Sequence, residues 1–242
     1  MENFEATNNI NELPEREFVI DDCVPKNQLT IFAGNDRSGK TTLIAGMIHG
    51  LSTGRDFIGL QTSKQACYLL TSEGGDYLKQ MITAHNLAIG GGFEYTCNDM
   101  VIDLTTEKGL LSLQAVLAEN RVNNKGRDIT IFFDNFQHFF NGHEKNGGKC
   151  ISVLGGLNQL LKRFPEATFI ATAYSDWHAD KTVVGSPVLV QHSSTIYRIE
   201  IYNKKLTISP RKVRFHTPPK REVPIGIYGD PSNHTDAQYL KY

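Results

Sequence analysis

The chain has little net charge. Across 242 residues, 25 Lys and Arg stand against 26 Asp and Glu, a formal charge of -1. No global field announces nucleic acid as a partner, so any such site must be a local patch. Cysteine is also sparse. Cys23, Cys67, Cys97 and Cys150 are scattered, with no C-x-x-C and no paired spacing. That argues against a cysteine metal site and for core thiols in a reducing compartment. No apolar run approaches the roughly 18 residues of a membrane span, so no membrane partner is expected. The polar, acidic start does not read as a secretory signal. Together these features predict a cytoplasmic protein. Internal repeats and low-complexity tracts are missing too. What is present is ordinary for a globular chain: 40% hydrophobic and 21% charged residues, with length for one α/β domain and a large core.

One stretch organises the rest. Gly34-Asn35-Asp36-Arg37-Ser38-Gly39-Lys40-Thr41 fits G-x-x-x-x-G-K-[ST], the phosphate-binding loop, and not the G-x-G-x-x-G of dinucleotide-binding dehydrogenases. Leu29 to Ala33 before it reads as a buried strand. Thr41 to Leu51 after it reads as a helix, with Leu43, Ile44, Met47, Ile48 and Leu51 at helical spacing. Gly34 and Gly39 let the backbone turn tightly and approach phosphate oxygens. Successive N–H groups and the helix N-terminus hold the anion. Lys40 is expected to reach the β- and γ-phosphates of ATP, and the Thr41 hydroxyl to bind Mg²⁺. Thr42 completes the expected nucleotide-binding set.

Further along, Ala66 to Leu70 reads as a buried strand followed by Glu73. A carboxylate there points into the crevice where α/β sheets bind ligands. It either orients an attacking water or serves as an N-terminal charge on a helix near Tyr77 to Asn86. Met100 to Leu104 reads as a short strand and Leu110 to Ala118 as a helix. Asp128 to Asp134 is an apolar strand ending in an acid, which pairs with the loop as the expected Mg²⁺ partner through water. Gln137 to Lys149 is polar and glycine-rich and reads as a flexible loop. Its two histidines match no zinc spacing. A helix at Ile151 to Arg163, a strand at Thr168 to Ala173 and a second loop at Tyr174 to Gln191 follow. Then Thr195 to Tyr202, Leu206 to Ser209, Lys212 to Phe215 and Val223 to Tyr228 alternate as antiparallel strands. From Ile201 to Arg221 there are seven Lys or Arg and no acid. This is either a solvated hairpin face or a set of phosphate contacts, to a neighbour's ATP or to nucleic acid. The expected organisation is a flexible arm over 1–15, an ATPase domain over 16–229 and a polar tail over 230–242.

These motifs, in this order, resemble the plasmid RepA-type hexameric helicases within the RecA/DnaB-like P-loop ATPases. Phe18 to Asp22, Leu29 to Thr42, Ser52 to Gly59 and Tyr68 to Glu73 carry the likeness, which continues through Asp134 and Gly185-Ser186 to Lys212-Val213-Arg214. It covers roughly residues 15 to 228. The resemblance implies a RecA-like core, a mostly parallel sheet flanked by helices with antiparallel strands at the C-terminal end. It implies that Glu73 is the catalytic glutamate and Asp134 the metal-holding acid. Lys212 and Arg214 would insert into the ATP site of an adjacent subunit in a ring of six or a filament. The loops near 137–149 and 175–186 would line a channel for single-stranded DNA, with Lys145, Lys149, Trp177, His178 and Lys181 as contacts. Two departures stand out. Ala173-Tyr174-Ser175 occupies the place of the family's His or Gln sensor of the γ-phosphate, and Asn35-Asp36-Arg37 is unusual inside the loop.

The leading expectation is thus an ATP-driven motor on single-stranded DNA, a replicative helicase of plasmid or phage type. A RecA-like recombination or strand-annealing accessory shares every ATPase motif. An assembly or regulatory ATPase that ignores DNA is the third reading. No acceptor site or lid segment argues for a kinase.

Overall fold

The computed structural model describes residues 16–71, 79–81, 83, 95–98, 102–123, 127–175, 183–213, 220–230 and 235–240. Two short strands, Phe18–Ile20 (β1) and Val24–Pro25 (β2), pair as a small antiparallel ribbon. The apolar runs that follow become one sheet: Leu29–Gly34 (β3), Ala66–Thr71 (β4), Tyr95–Asn98 (β5), Ile129–Asp134 (β6) and Ala167–Tyr174 (β7). To these are added Thr195–Tyr202 (β8), Lys205–Val213 (β9), Arg221–Asp230 (β10) and Thr235–Leu240 (β11). The order across the sheet is β11-β10-β9-β8-β3-β7-β6-β4-β5. Strands β8 to β5 in that order are mutually parallel, and β8, β9, β10 and β11 pair antiparallel. This is the expected mostly parallel α/β core with antiparallel strands near the C-terminus.

The central strands are buried on both faces because helices cover each side. Every residue of β3 and of β6 is buried. Side chains alternate across the pleat, so each strand feeds two cores. Ile31, Ile131, Phe133 and Phe169 face Leu113 and Leu117 of helix Glu107–Asn123 (α2) and Val153, Leu157 and Leu161 of helix Gly147–Arg163 (α3). Phe32, Phe132 and Ile170 face Leu43, Met47 and Leu51 of helix Lys40–Thr53 (α1). A short helix, Pro187–His192 (α4), precedes β8, with Ser186 as its cap and Pro187 at the first turn.

Four expectations change. Ile102 and Leu104 are buried but not in a strand; the strand pairing with β4 is Tyr95–Asn98. Asp103 causes this. Its carboxylate accepts from the Thr105 N–H at 2.9 Å and from Asn141 at 3.2 Å, fixing a turn. The segment read as a flexible loop, Gln137 to Lys149, is largely folded: Phe136–Phe140 is a 3-10 turn with four of its residues buried, and Gly147 opens α3. The two strands expected on either side of Pro210 are one strand, β9. Proline donates no ladder bond, and β8 accommodates it with a register shift between Ile196 and Tyr197. The boundary drawn at 229 falls within β10, and Thr235–Leu240 of the expected tail forms β11.

Burial pushes the thiols of Cys23 and Cys67 up to about 12, as inert core groups. Among the described residues, no helix is long and apolar enough to cross a membrane.

Candidate active site

Parallel pairing brings the chemistry to one edge. Gly34 lies opposite Tyr174, and Thr71 lies opposite Asp134. The loop after β3, the acid ending β6 and the ends of β4 and β7 therefore share the crevice at the carboxyl ends of the strands. Glu73 is two residues past Thr71 and lies outside the described residues.

The loop is shaped by its glycines. A Cβ on Gly34 would sit 2.1 Å from Ser38 Oγ and 2.8 Å from the Ile199 carbonyl oxygen. Gly39 caps α1 with φ of +86°, the left-handed region. The residues from Asp36 to Thr42 line a cavity of about 350 Å³ together with Met81, Asn135 and Tyr174. Asn35 faces the other way: its Oδ1 accepts from Ser175 Oγ at 2.9 Å, tying the loop to the end of β7.

Lys40 is buried and folded onto the loop. Its Nζ donates to the Gly34 carbonyl at 3.0 Å and the Asn35 carbonyl at 2.8 Å, and lies 4.5 Å from the centre of the Tyr174 ring. Thr41 Oγ1 donates to Asp134 Oδ2 at 3.4 Å. The other carboxylate oxygen, Oδ1, accepts from Thr172 Oγ1. Asp134 is 5% exposed and is held from both sides by these hydroxyls, next in the chain to Asn135 of the cavity lining.

These residues fit a nucleotide with Mg²⁺. The loop has the cradle that a Cβ would fill. The Ser38 hydroxyl is buried and bonded to no described residue. The Thr41 hydroxyl and Asp134 carboxylate form an all-oxygen donor pair, the kind a hard divalent cation takes.

The remaining expected residues divide. Lys145 and Lys149 are exposed. The first precedes α3; the second lies in its opening turn, where its N–H donates to the cap Asn146. Trp177, His178, Lys181 and Arg214 lie outside the described residues. Lys212 sits elsewhere than the chain's own crevice. It pairs with Ile196, which pairs with Ile31, three residues before Gly34. That is roughly 10 Å back along the strands. Its Nζ donates to the carbonyls of Val190 at 2.5 Å and Gln191 at 2.7 Å, at the C-terminal end of α4.

Several residues at the site carried no sequence signal. Thr172 is a polar residue in a buried strand, which is common in sheets. Tyr174 and Ser175 open a stretch that reads as loop, and the resemblance marks their place only as a departure from the family's sensor, with no role of their own. Gln137 was read as part of a polar segment, although Phe136, Phe139 and Phe140 repeat at helical spacing around it.

A buried strand, a glycine loop, a helix that starts on the loop lysine, and an acid ending a strand two places across define a P-loop nucleoside triphosphatase. A family model described as an AAA domain matches residues 2–180, and the chain belongs to that family of P-loop ATPases. No curated protein matches it.

Proposed function

We propose that this ATPase is Mg²⁺-dependent and works as a motor on single-stranded DNA, as a plasmid- or phage-type replicative helicase does, within a ring or filament of its own copies. The observation that carries the ATPase half is the Thr41–Asp134 pair, 3.4 Å apart beside Lys40. Mg²⁺ bound there would neutralise charge on the β- and γ-phosphates. The N–H groups at the start of α1 bind phosphate oxygens. Lys40 exchanges the Gly34 and Asn35 carbonyls for phosphate oxygens. Thr172 keeps Asp134 oriented by donating to Oδ1. Glu73 orients the attacking water.

The DNA half rests on the resemblance and on position. Lys145 and Lys149 are exposed on the segment that follows Asp134, and with Trp177, His178 and Lys181 they supply phosphate contacts and stacking. Self-association rests on the resemblance and on the position of Lys212. Its place away from its own crevice favours a role, with Arg214, at a neighbour's phosphates.

The test is steady-state ATP hydrolysis with and without single-stranded DNA, with Lys40→Ala as the blank. Several-fold stimulation supports the motor. Turnover that ignores DNA overturns the DNA half and leaves an assembly or regulatory ATPase. Turnover no higher than the blank overturns the ATPase half.

A further inference from the structure

Besides its pairing with Gly34 of β3, the main chain of Tyr174, whose ring lies beside Lys40, is gripped by a side chain. Gln137 Nε2 donates to the Tyr174 carbonyl and to the Val184 carbonyl, each at 3.2 Å. Gln137 Oε1 accepts from the Tyr174 N–H at 3.2 Å. The Val184 N–H also donates to the Tyr174 carbonyl at 2.7 Å. Gln137 is 7% exposed, so these bonds form away from water. Tyr174 lines the nucleotide cavity next to Asn135. One buried amide thus joins the 3-10 turn after Asp134, the end of β7 and the chain at Val184, and the residue it grips presents its ring to the phosphate-loop lysine.

We infer that Tyr174 is a positioning residue for Lys40 and that Gln137 sets it. The inference rests on the ATPase reading above. A lysine ammonium is a compact charge on a flexible stem. In this chain two loop carbonyls and one ring face are among its contacts. Nucleotide competes with the carbonyls, because phosphate oxygens draw on the same three donors. It need not displace the ring, which attracts the charge without using a hydrogen bond. The ring contact therefore persists through the exchange and restricts where the ammonium points. The Gln137 clamp makes that restriction depend on the main chain at Val184, so movement there is felt at Lys40.

The experiment measures affinity by calorimetry for the β,γ-imido analogue of ATP and for AMP, both with Mg²⁺. A partly desolvated cation–π contact is worth on the order of tenfold in a binding constant. Tyr174→Leu is expected to weaken the ATP analogue roughly fivefold to tenfold and to leave AMP alone, since AMP lacks the phosphates that Lys40 holds. Tyr174→Phe, which keeps the ring, restores affinity to within about twofold. In a Lys40→Ala background, Tyr174→Leu is expected to cost nothing more. Gln137→Ala is expected to weaken the ATP analogue in the same direction and to be non-additive with Tyr174→Leu. Tyr174→Met makes the same comparison where the leucine variant does not fold. An unchanged affinity in Tyr174→Leu, an equal loss for AMP, or an equal loss in the Lys40→Ala background overturns the inference. Wild-type protein that binds no ATP analogue overturns the nucleotide reading as well, and the two failures are told apart by that control.

Discussion

Gly39→Ala tests whether the phosphate loop has the shape described. Gly39 has φ of +86°, where an L-residue carries a penalty of about 1 kcal/mol relative to glycine. The new Cβ would lie 2.9 Å from both Ile201 Cδ1 and Leu206 Cδ1. Both groups must retreat by about half an ångström, and Leu206 is fully buried, which adds about 1 kcal/mol. The loss is therefore about 2 kcal/mol. For a domain of this size that lowers Tm by roughly 4–8 °C. Gly155→Ala is the matched control. It lies in α3 with nothing within 4 Å of its would-be Cβ. There the helix propensity of alanine acts alone and should raise Tm by about 1–4 °C. Thermal unfolding followed by circular dichroism, without nucleotide, compares the two. A Gly39→Ala variant melting within 2 °C of wild type (roughly 0.5 kcal/mol) would refute the left-handed cap, and a Gly155→Ala variant that melts lower would refute the open face assigned to α3.

Asp134→Asn keeps the shape that accepts from Thr172 and loses the charge beside Thr41; ATP turnover in Mg²⁺ should fall about 10- to 100-fold, and an unchanged rate would remove Asp134 from the metal site. Arg121 donates to both oxygens of Glu166, at 2.5 and 2.8 Å, and holds that carboxyl below the usual range. A carboxyl lowered by folding stabilises above its unfolded pKa, and the effect is lost as pH falls through the folded value. The gap in denaturant midpoint between wild type and Glu166→Gln should correspond to about 0.5–1 kcal/mol at neutral pH, the pair being partly exposed, and should close in acid; a gap that widens in acid refutes this assignment. On the proposed shared site, mixing Lys40→Ala with Arg214→Ala protein should recover part of the ATP turnover that each lacks alone, since a neighbour's cation would act on an intact loop; no recovery at any ratio argues against that proposal.

Some of this site could be read from the chain and some could not, and the division follows how far apart the partners are. Gly34, Gly39, Lys40 and Thr41 act through the covalent spacing of one loop, so their pattern is complete in eight residues. Asp134 ends an apolar strand, and a strand end is visible locally. Tyr174 and Gln137 are 37 positions apart; the resemblance marks the place of Tyr174 only as a departure, and nothing local in either residue points to the other. Their partnership exists only because the 3-10 turn after β6 packs against the end of β7. The polar composition of Gln137 to Lys149 hid a turn whose phenylalanines were already spaced for it. Local pattern fails for α1 in the opposite sense. A one-sided apolar stripe was expected, yet Thr42, Gly46, His49 and Gly50 are buried as well. Part of the reason is the chain at 55–62, where a Cβ on Gly50 would meet the Arg55 carbonyl oxygen and Phe57, and part lies nearly two hundred residues on, where β11 contacts α1. Composition alone reads Thr235 to Leu240 as a tail. The helix that presents Lys40 thus has the last strand of the chain as a neighbour, a contact that no local pattern in either segment announces.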